Sequence, residues 1–321
     1  MTALKAYEPY VDKVNATFIG KLESFAETGR SFDLFTWMQF YAFDVIGEIT
    51  IGRPFGMLKA GTDIDGLIDT VDFAVSKMGA RLGHLPELRA PFLWFIRLFK
   101  VKMGFESVNA AVDEQISLRK SGASVSDRDD FLCKGLRLLD AGKINPSNMF
   151  TMIGANIGAG SDTTGISATA IVYYLIKNPR CMQKLQDDLD ESLAAGELSE
   201  TVTFQEGQRL QYLQAVIKEA LRLHPAVGMP LARVVPKGGA TLAGRFFPED
   251  VRGIIYSCRR ILANLCQSVV GINAWVIHRD PRIWGDDANE FVPERWLGPS
   301  EKVAKLESNF FAVRFYQSNY I

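Results

Sequence analysis

Cysteine and histidine are scarce in this chain of 321 residues, which contains four cysteines and three histidines. The cysteines are scattered and form no C-x-x-C pair, and His84, His224 and His278 lie far apart in sequence. Zinc sites and disulfide frameworks are marked by close, regular spacings of these residues. We therefore expect neither kind of site, and we expect reduced cysteines in a protein that faces the cytosol.

An excess of one charge and a long apolar run are absent as well. The 36 Lys and Arg residues nearly balance the 37 Asp and Glu residues, and the net charge of -1 gives no electrostatic argument for nucleic acid as a partner. No apolar run reaches the roughly 18 residues that a membrane-spanning helix needs. The chain also has no signal peptide and no membrane anchor, so it is expected to be soluble.

Hydrophobic residues make up 47% of the chain, which is enough to fill a sizeable core, and most of them recur at helical spacing. The length suits one large domain or two ordinary ones. Residues 229–248 carry the β-branched and turn residues that are typical of short strands, and they form the only convincing β region. The sequence therefore predicts a mainly α protein with a small β region.

The segment from Asn145 to Pro179 predicts one long helix that spans a whole domain. Asn145 can cap a helix, Pro146 suits its first turn, and Asn178 before Pro179 supplies a stop. About 32 residues lie between these signals, which corresponds to about 50 Å of helix. Apolar residues flank the centre on both sides, so we expect this helix to be buried.

The middle of this helix interrupts the apolar run with the residues AGSDTT, Ala159–Thr164, which we call the waist. Glycines at and beside the waist remove side chains, and its hydroxyl groups can bond back to helix carbonyls. One interpretation is a buried helix that admits a ligand beside an acid. The other is a kink with a capped carboxylate. The periodicity alone leaves both open.

The segment Phe92–Phe105 mixes large apolar residues with Arg97, Lys100 and Lys102. This pattern is typical of a core helix, since long basic side chains can reach solvent past an apolar surface. It also suits a helix that makes a peripheral contact with a membrane. Buried helices are the commoner case, and the sequence leaves both interpretations open.

Three further motifs follow the waist in order: EALR at Glu219–Arg222, HRDP at His278–Pro281 and FVPERW at Phe291–Trp296. Each motif is weak alone, whereas the ordered set is highly specific. The set resembles the cytochrome P450 family, and the chain looks most like its microsomal-type fungal branch, close to pisatin demethylase. The resemblance implies an incomplete cytochrome P450 fold, one partial domain over residues 1–321, with a role in fungal secondary metabolism.

In that family the central helix crosses the distal face of haem b. The resemblance implies that Asp162 and Thr163 take part in proton delivery to dioxygen at the haem. Three other residues of the waist are expected to lie against the cofactor: Ala159, Gly160 and Thr164. The electrons are expected to come from NADPH through NADPH-cytochrome P450 reductase as a partner.

Two further groups of residues take their roles from the same resemblance. Arg233 matches an arginine that binds a haem propionate, and three nearby apolar residues are candidates for the substrate pocket: Val227, Met229 and Leu231. A buried charge cluster is expected from Glu219, Arg222 and Arg295. Breaking such a cluster typically costs ~3–5 kcal/mol. The substrate is expected to be an apolar small molecule.

The chain departs from the family pattern in several places. The haem-binding loop with its axial cysteine is expected to begin at Asn309–Ala312, but other residues follow, so we assign no iron ligand. The chain opens in what resembles the fourth helix of the family. Residues 250–268 and 313–321 are interpreted as an insert and a tail foreign to the family. Both carry Val-Arg near their start, a pair that a translated fungal intron would begin with.

The sequence leaves two functions open. The first is a haem-thiolate monooxygenase, placed by the family at the cytoplasmic face of the endoplasmic reticulum membrane and inactive here without the axial cysteine. The second is a non-catalytic helical remnant, or an incorrectly spliced gene model, that binds no haem. A third reading, an ordinary helical interaction protein, requires the motifs to occur in this order by chance.

Overall fold

The computed structural model describes residues 5–73, 88–99, 106–121, 128–228, 230–242, 244–249 and 269–312. The chain forms two compact units. The first unit comprises Met1–Leu221 and Pro293–Leu297, and the second comprises Arg222–Val292 and Gly298–Ile321. Helices dominate the described residues and strands are few and short, which confirms the predicted mainly α fold class.

The first unit is built from helices. In chain order they are α1 Glu8–Thr28, α2 Leu34–Ile51, α3 Met57–Ala60, α4 Leu67–Asp72, α5 Arg89–Phe99, α6 Glu106–Lys120, α7 Phe131–Asp140, α8 Pro146–Lys177, α9 Pro179–Ala194, α10 Phe204–Arg209 and α11 Gln211–Leu223, whose last two residues belong to the second unit. A 3-10 helix, Pro293–Leu297, completes the unit. In the part of the chain that the structure describes, no helix has both the length and the apolar character that crossing a membrane requires.

Helix α8 is one uninterrupted helix of 32 residues, as its end signals predicted. The Asn145 side chain accepts a hydrogen bond from the Asn148 backbone N–H at 2.8 Å, and a proline occupies the first turn. At the other end Asn178 caps the helix, with its N–H bonded to the Leu175 carbonyl. These local signals therefore define both ends of the helix.

Helix α2 packs against α8 at the centre of the first unit's core. A Cβ atom on Gly160 would lie 2.7 Å from Ile46 Cδ1, and a Cβ atom on Gly165 would lie 3.2 Å from Gln39 Cα. Separations this short mean that a larger residue at either position would have to displace its neighbour on α2. The buried core around this crossing includes Phe43 of α2.

The second unit contains two small antiparallel sheets. Strand β1, Leu231–Val234, pairs with β4, Val269–Ile272, and β2, Ala240–Leu242, pairs with β3, Arg245–Phe247. Three of these strands lie in the predicted β region, whereas β4 lies outside it. A strand of four residues carries too short a pattern to be recognised without its distant partner. Three helices follow: α12 Ala274–Ile277, α13 Pro281–Trp284 and α14 Ser300–Ser308.

Several predictions fall on residues outside the described ranges. Both the insert, 250–268, and the tail, 313–321, lie there, as do Met229 and residues 100–105. Within α5 the Trp94 side chain is 65% exposed, and Phe95 and Leu98 are exposed as well. The core interpretation is therefore wrong for these three side chains, because they remain exposed to solvent.

Candidate active site

The waist carries hydroxyl groups that bond back to the helix. Thr163 Oγ1 donates to the Ala159 carbonyl at 2.7 Å, and Ser161 Oγ donates to the Ile157 carbonyl at 2.7 Å. Each bond links residues four positions apart, and the helix continues through both. Because the Thr163 proton is held by a carbonyl, its oxygen lone pairs remain available to accept a hydrogen bond from a ligand.

One side of α8 at the waist is open and lined by small side chains. Ala155, Ala159 and Thr163 recur at four-residue steps, and we call them the open stripe. The two alanines are exposed and Thr163 is half-buried. Thr164 is also exposed, but it lies about 100° around the helix from Thr163. The open stripe is therefore a shallow surface on which a flat ligand could lie against helix backbone.

Gly160 makes its close contact with α2. Its missing side chain leaves the space that Ile46 occupies. A Cβ atom on Gly158, by contrast, would meet nothing within 4 Å. The packing of two helices is thus enough to favour glycine at position 160, and its contact with a cofactor remains a prediction.

The Asp162 carboxyl is half-buried beside the open stripe. Its Oδ1 accepts a hydrogen bond from Gln39 Nε2 of α2 at 3.2 Å. Burial raises the pKa of Asp162, the bond from Gln39 opposes this increase, and the negative charge of Asp72 adds to it. A carboxyl with a raised pKa holds a proton at a higher pH than an exposed one, which suits a group that exchanges protons. The sequence did not reveal Gln39, because a single glutamine in an apolar helix carries no motif.

Glu219 is completely buried and both of its carboxylate oxygens have donors. Arg295 Nε donates to Oε1 at 2.9 Å, and Trp296 Nε1 donates to Oε2 at 2.9 Å. These partners lie more than 70 residues away, on the 3-10 helix of the same unit. Trp296 was part of a recognised motif, but its role as a donor to Glu219 was not predicted.

Arg222, one helical turn after Glu219, is buried in the second unit and bonded to backbone carbonyls. Its Nη1 donates to the carbonyls of His278 and Ala288, each at 2.6 Å, and its Nη2 donates to the Glu290 carbonyl at 3.0 Å. Its guanidinium carbon also lies 5.1 Å from the centre of the Trp284 ring. Backbone acceptors leave no signal in residue types, so the sequence could not identify them.

The His278 ring is buried and its two nitrogens have different backbone partners. Nδ1 lies 2.9 Å from the Arg222 carbonyl oxygen, and Nε2 lies 2.8 Å from the Phe311 backbone nitrogen. Since a carbonyl only accepts and an amide N–H only donates, these contacts require a neutral ring with its proton on Nδ1. Phe310 stacks on the ring with centroids 5.4 Å apart. His278 thus holds Phe310 and Phe311 in place.

The remaining predicted site residues lie in the second unit. Arg233 is exposed on β1, opposite Val270 of β4, and Val227 is half-buried before the strand. Leu231 begins β1, and Met229 lies outside the described residues. Their roles in binding a propionate or a substrate remain predictions.

Comparison with known proteins decides the family. The family model for Cytochrome P450 matches residues 1–261 and 266–312. This chain belongs to the cytochrome P450 family. Pisatin demethylase of Fusarium vanettenii is 36% identical over 310 residues, which cover 94% of this chain and 56% of that protein. A cytochrome P450 monooxygenase of Aspergillus terreus (strain NIH 2624 / FGSC A1156) is 34% identical over 321 residues, which cover 96% of this chain and 61% of that protein.

The first relative is named a demethylase and the second a cytochrome P450 monooxygenase, and both come from fungi, so the predicted family and branch are confirmed. The chain spans a little more than half of the length of the relatives that it matches. The family implies haem, and the open stripe fits the face of a flat ring because its side chains are small. Of the described cysteines, Cys133 lies on α7 and Cys181 is buried on α9. We assign the iron ligand to no described residue.

Proposed function

We propose that this chain forms the distal half of a haem-dependent monooxygenase that oxidises an apolar small molecule with dioxygen. The observation that carries the proposal is the open stripe beside the half-buried Asp162 carboxyl. The redox partner that we propose is an NADPH-dependent reductase. Haem, when bound, supplies the iron at which dioxygen is activated.

The chain's own residues have three tasks in this proposal. The small side chains of Ala155 and Ala159 allow the ring and an apolar substrate to approach the backbone of α8. Thr163 accepts a hydrogen bond from an O–H on this surface, since its own proton is held by the Ala159 carbonyl. Asp162 exchanges a proton with this surface, and its raised pKa keeps it protonated to a higher pH than an exposed Asp.

The test of this function compares two threonines on α8 in the haem-loaded enzyme. Thr163→Ala is expected to keep NADPH consumption while lowering product formed per NADPH by about 10-fold or more, because the hydroxyl acceptor is lost. Thr169→Ala is the matched control, since Thr169 Oγ1 makes the same kind of bond, to the Gly165 carbonyl at 2.8 Å. Equal effects of the two variants would contradict the assignment. Failure of the chain to take up haem would favour the non-catalytic remnant.

We also propose a membrane contact for α5, at the cytoplasmic face of the endoplasmic reticulum as in the family. The support is the exposure of Trp94, Phe95 and Leu98 on one short helix. Trp94→Ser should weaken binding to phosphatidylcholine vesicles, measured by sedimentation. Val276→Ser, at a valine that is more exposed still, serves as the control and should leave binding unchanged.

We also propose that two segments of the chain, residues 250–268 and 313–321, are foreign to the family fold. The family match includes residues 250–261 and 266–268 of the first segment, leaves out 262–265, and ends at residue 312, before the second segment. Sequencing of the transcript across both segments tests this idea. A mature transcript that encodes both segments unchanged would refute it.

A further inference from the structure

Gln39 is a nearly buried amide, 4% exposed, on the α2 face that packs against the waist. Its Nε2 donates to Asp162 Oδ1 across 123 residues of sequence. Among the described residues, the other carboxyl oxygen, Oδ2, has no hydrogen-bond partner. One oxygen of the acid is therefore held by α2, while the other remains available to solvent or to a ligand.

Backbone packing determines where this amide sits. A Cβ atom on Gly165 would lie 3.2 Å from Gln39 Cα and 3.3 Å from the Met38 carbonyl oxygen. The contact at Gly160 with Ile46 lies on the other side of Asp162 in sequence. Two close helix contacts thus bracket the acid. The amide therefore reaches Asp162 from a part of α2 that lies in close contact with α8.

The chemistry of an amide differs from that of a basic partner. A lysine or arginine is positively charged, so it strongly favours the ionised carboxylate. The neutral NH₂ group of a glutamine donates to Oδ1 of the ionised acid, and it can still donate to Oδ1 when the proton of the neutral acid lies on Oδ2, because Oδ1 remains an acceptor. The charged group whose field acts on Asp162 is Asp72 at the end of α4, and it is negative. No cationic partner of Asp162 is found within the described ranges.

We propose that Gln39 is the positioning residue of Asp162, holding Oδ1 in both protonation states of the acid and leaving Oδ2 to exchange the proton. This inference rests on the proposed function, in which Asp162 takes part in proton delivery. It assigns to α2 a direct part in the active site, through a residue that touches the acid and not the substrate.

The first test is a pH titration of the full chain with ¹³C-labelled aspartate, followed by NMR. The Asp162 signal is assigned by its loss in Asp162→Asn. In Gln39→Met the midpoint of the Asp162 titration should move to higher pH, because a donor to the ionised form is lost. Gln115→Met is the matched control, since Gln115 is also nearly buried, at 8% exposure, and lies on another helix. An unchanged midpoint in Gln39→Met, or an equal shift in the control, would overturn the proposal.

A second variant at the same position tests the proposal even if Gln39→Met does not fold. Gln39→Glu keeps the volume and places a second carboxyl beside Asp162, so the pair should titrate in two separated steps. A single unshifted step in Gln39→Glu would also overturn the proposal. Circular dichroism establishes that each variant is folded before it is titrated.

The third readout is product formed per NADPH in the haem-loaded enzyme as a function of pH. For Gln39→Met this profile should shift in the same direction as the titration midpoint, with KM unchanged. A shifted titration in an enzyme that shows no oxygenation would leave the positioning role intact and refute the proposed function. A changed coupling profile without a shifted titration would leave the proposed function intact and refute the positioning role.

Discussion

Removal of the guanidinium of Arg295 should destabilise the first unit strongly. Glu219 is fully buried; its Oε1 accepts a hydrogen bond from Arg295 and its Oε2 accepts one from Trp296. Arg295→Met removes the guanidinium donor from a buried carboxylate, which should cost about 3–5 kcal/mol. Trp296→Phe removes only the N–H donor and should cost about 1.5–3 kcal/mol, the range for a hydrogen bond to a charged group.

Urea unfolding, followed by circular dichroism, measures these losses. The control variant is Arg180→Met, because Arg180 pairs with Glu294 of the same 3-10 helix at 2.7 Å but is largely exposed. Such a surface pair is worth about 0–1 kcal/mol. The double variant of Glu219→Met with Arg295→Met should recover part of the loss, since both charges of this pair are removed together.

The reasoning fails if Arg295→Met costs no more than Arg180→Met. The expected difference between the two variants is large compared with the total free energy of unfolding, which is only about 5–15 kcal/mol for single domains. A small difference would mean that Glu219 finds a replacement donor or takes up a proton. The assignment of the pair as a structural cluster would then be withdrawn.

Two further predictions concern α8. Gly160→Ala should destabilise the protein by about 1–3 kcal/mol, because the new Cβ meets Ile46, and Ile46→Ala in the same chain should relieve part of this loss. A Cβ atom at position 158 would meet open space, so Gly158→Ala should stabilise the protein by up to about 1 kcal/mol. Thermal unfolding measures the stability of both variants. Equal effects at the two glycines would count against the contact between α8 and α2. Asp162→Asn should change how stability depends on pH. Burial raises the pKa of Asp162, so the folded chain binds the proton of this carboxyl more tightly than the unfolded chain does. The stability of the wild-type protein therefore falls as pH rises from the ordinary pKa of 3.8 through the raised pKa of the folded state. The urea midpoint of Asp162→Asn, measured over this pH range, should lack the fall. Parallel plots of urea midpoint against pH for the two proteins would show that the pKa of the Asp162 carboxyl is not perturbed.

Local signals in the sequence were sufficient for helix α8. Its ends are defined by side chains within one turn of the terminus, Asn145 and Asn178 with their prolines. Such signals act over a few residues and need no tertiary contact. The family could also be recognised from the sequence, because the residue types of its motifs and their order can be read without knowledge of the fold.

Partners that are distant in sequence were decided by the tertiary structure alone. The charge on Arg222 could be expected to need compensation, but three of its acceptors are backbone carbonyls, which every residue has. Strand β4 likewise depends on β1, more than 30 residues before it. In both cases the interaction uses backbone groups, so the residue types carry no information about it.

The composition of the waist was visible in the sequence, whereas the use of each residue was not. Gly160 could open a pocket or admit a neighbouring helix, and only the structure reveals the close approach of Ile46. Asp162 was a clear candidate acid, yet only the packing of α2 brings Gln39 within reach of it. A sequence specifies which groups are present, and the close packing of helices decides which of them meet.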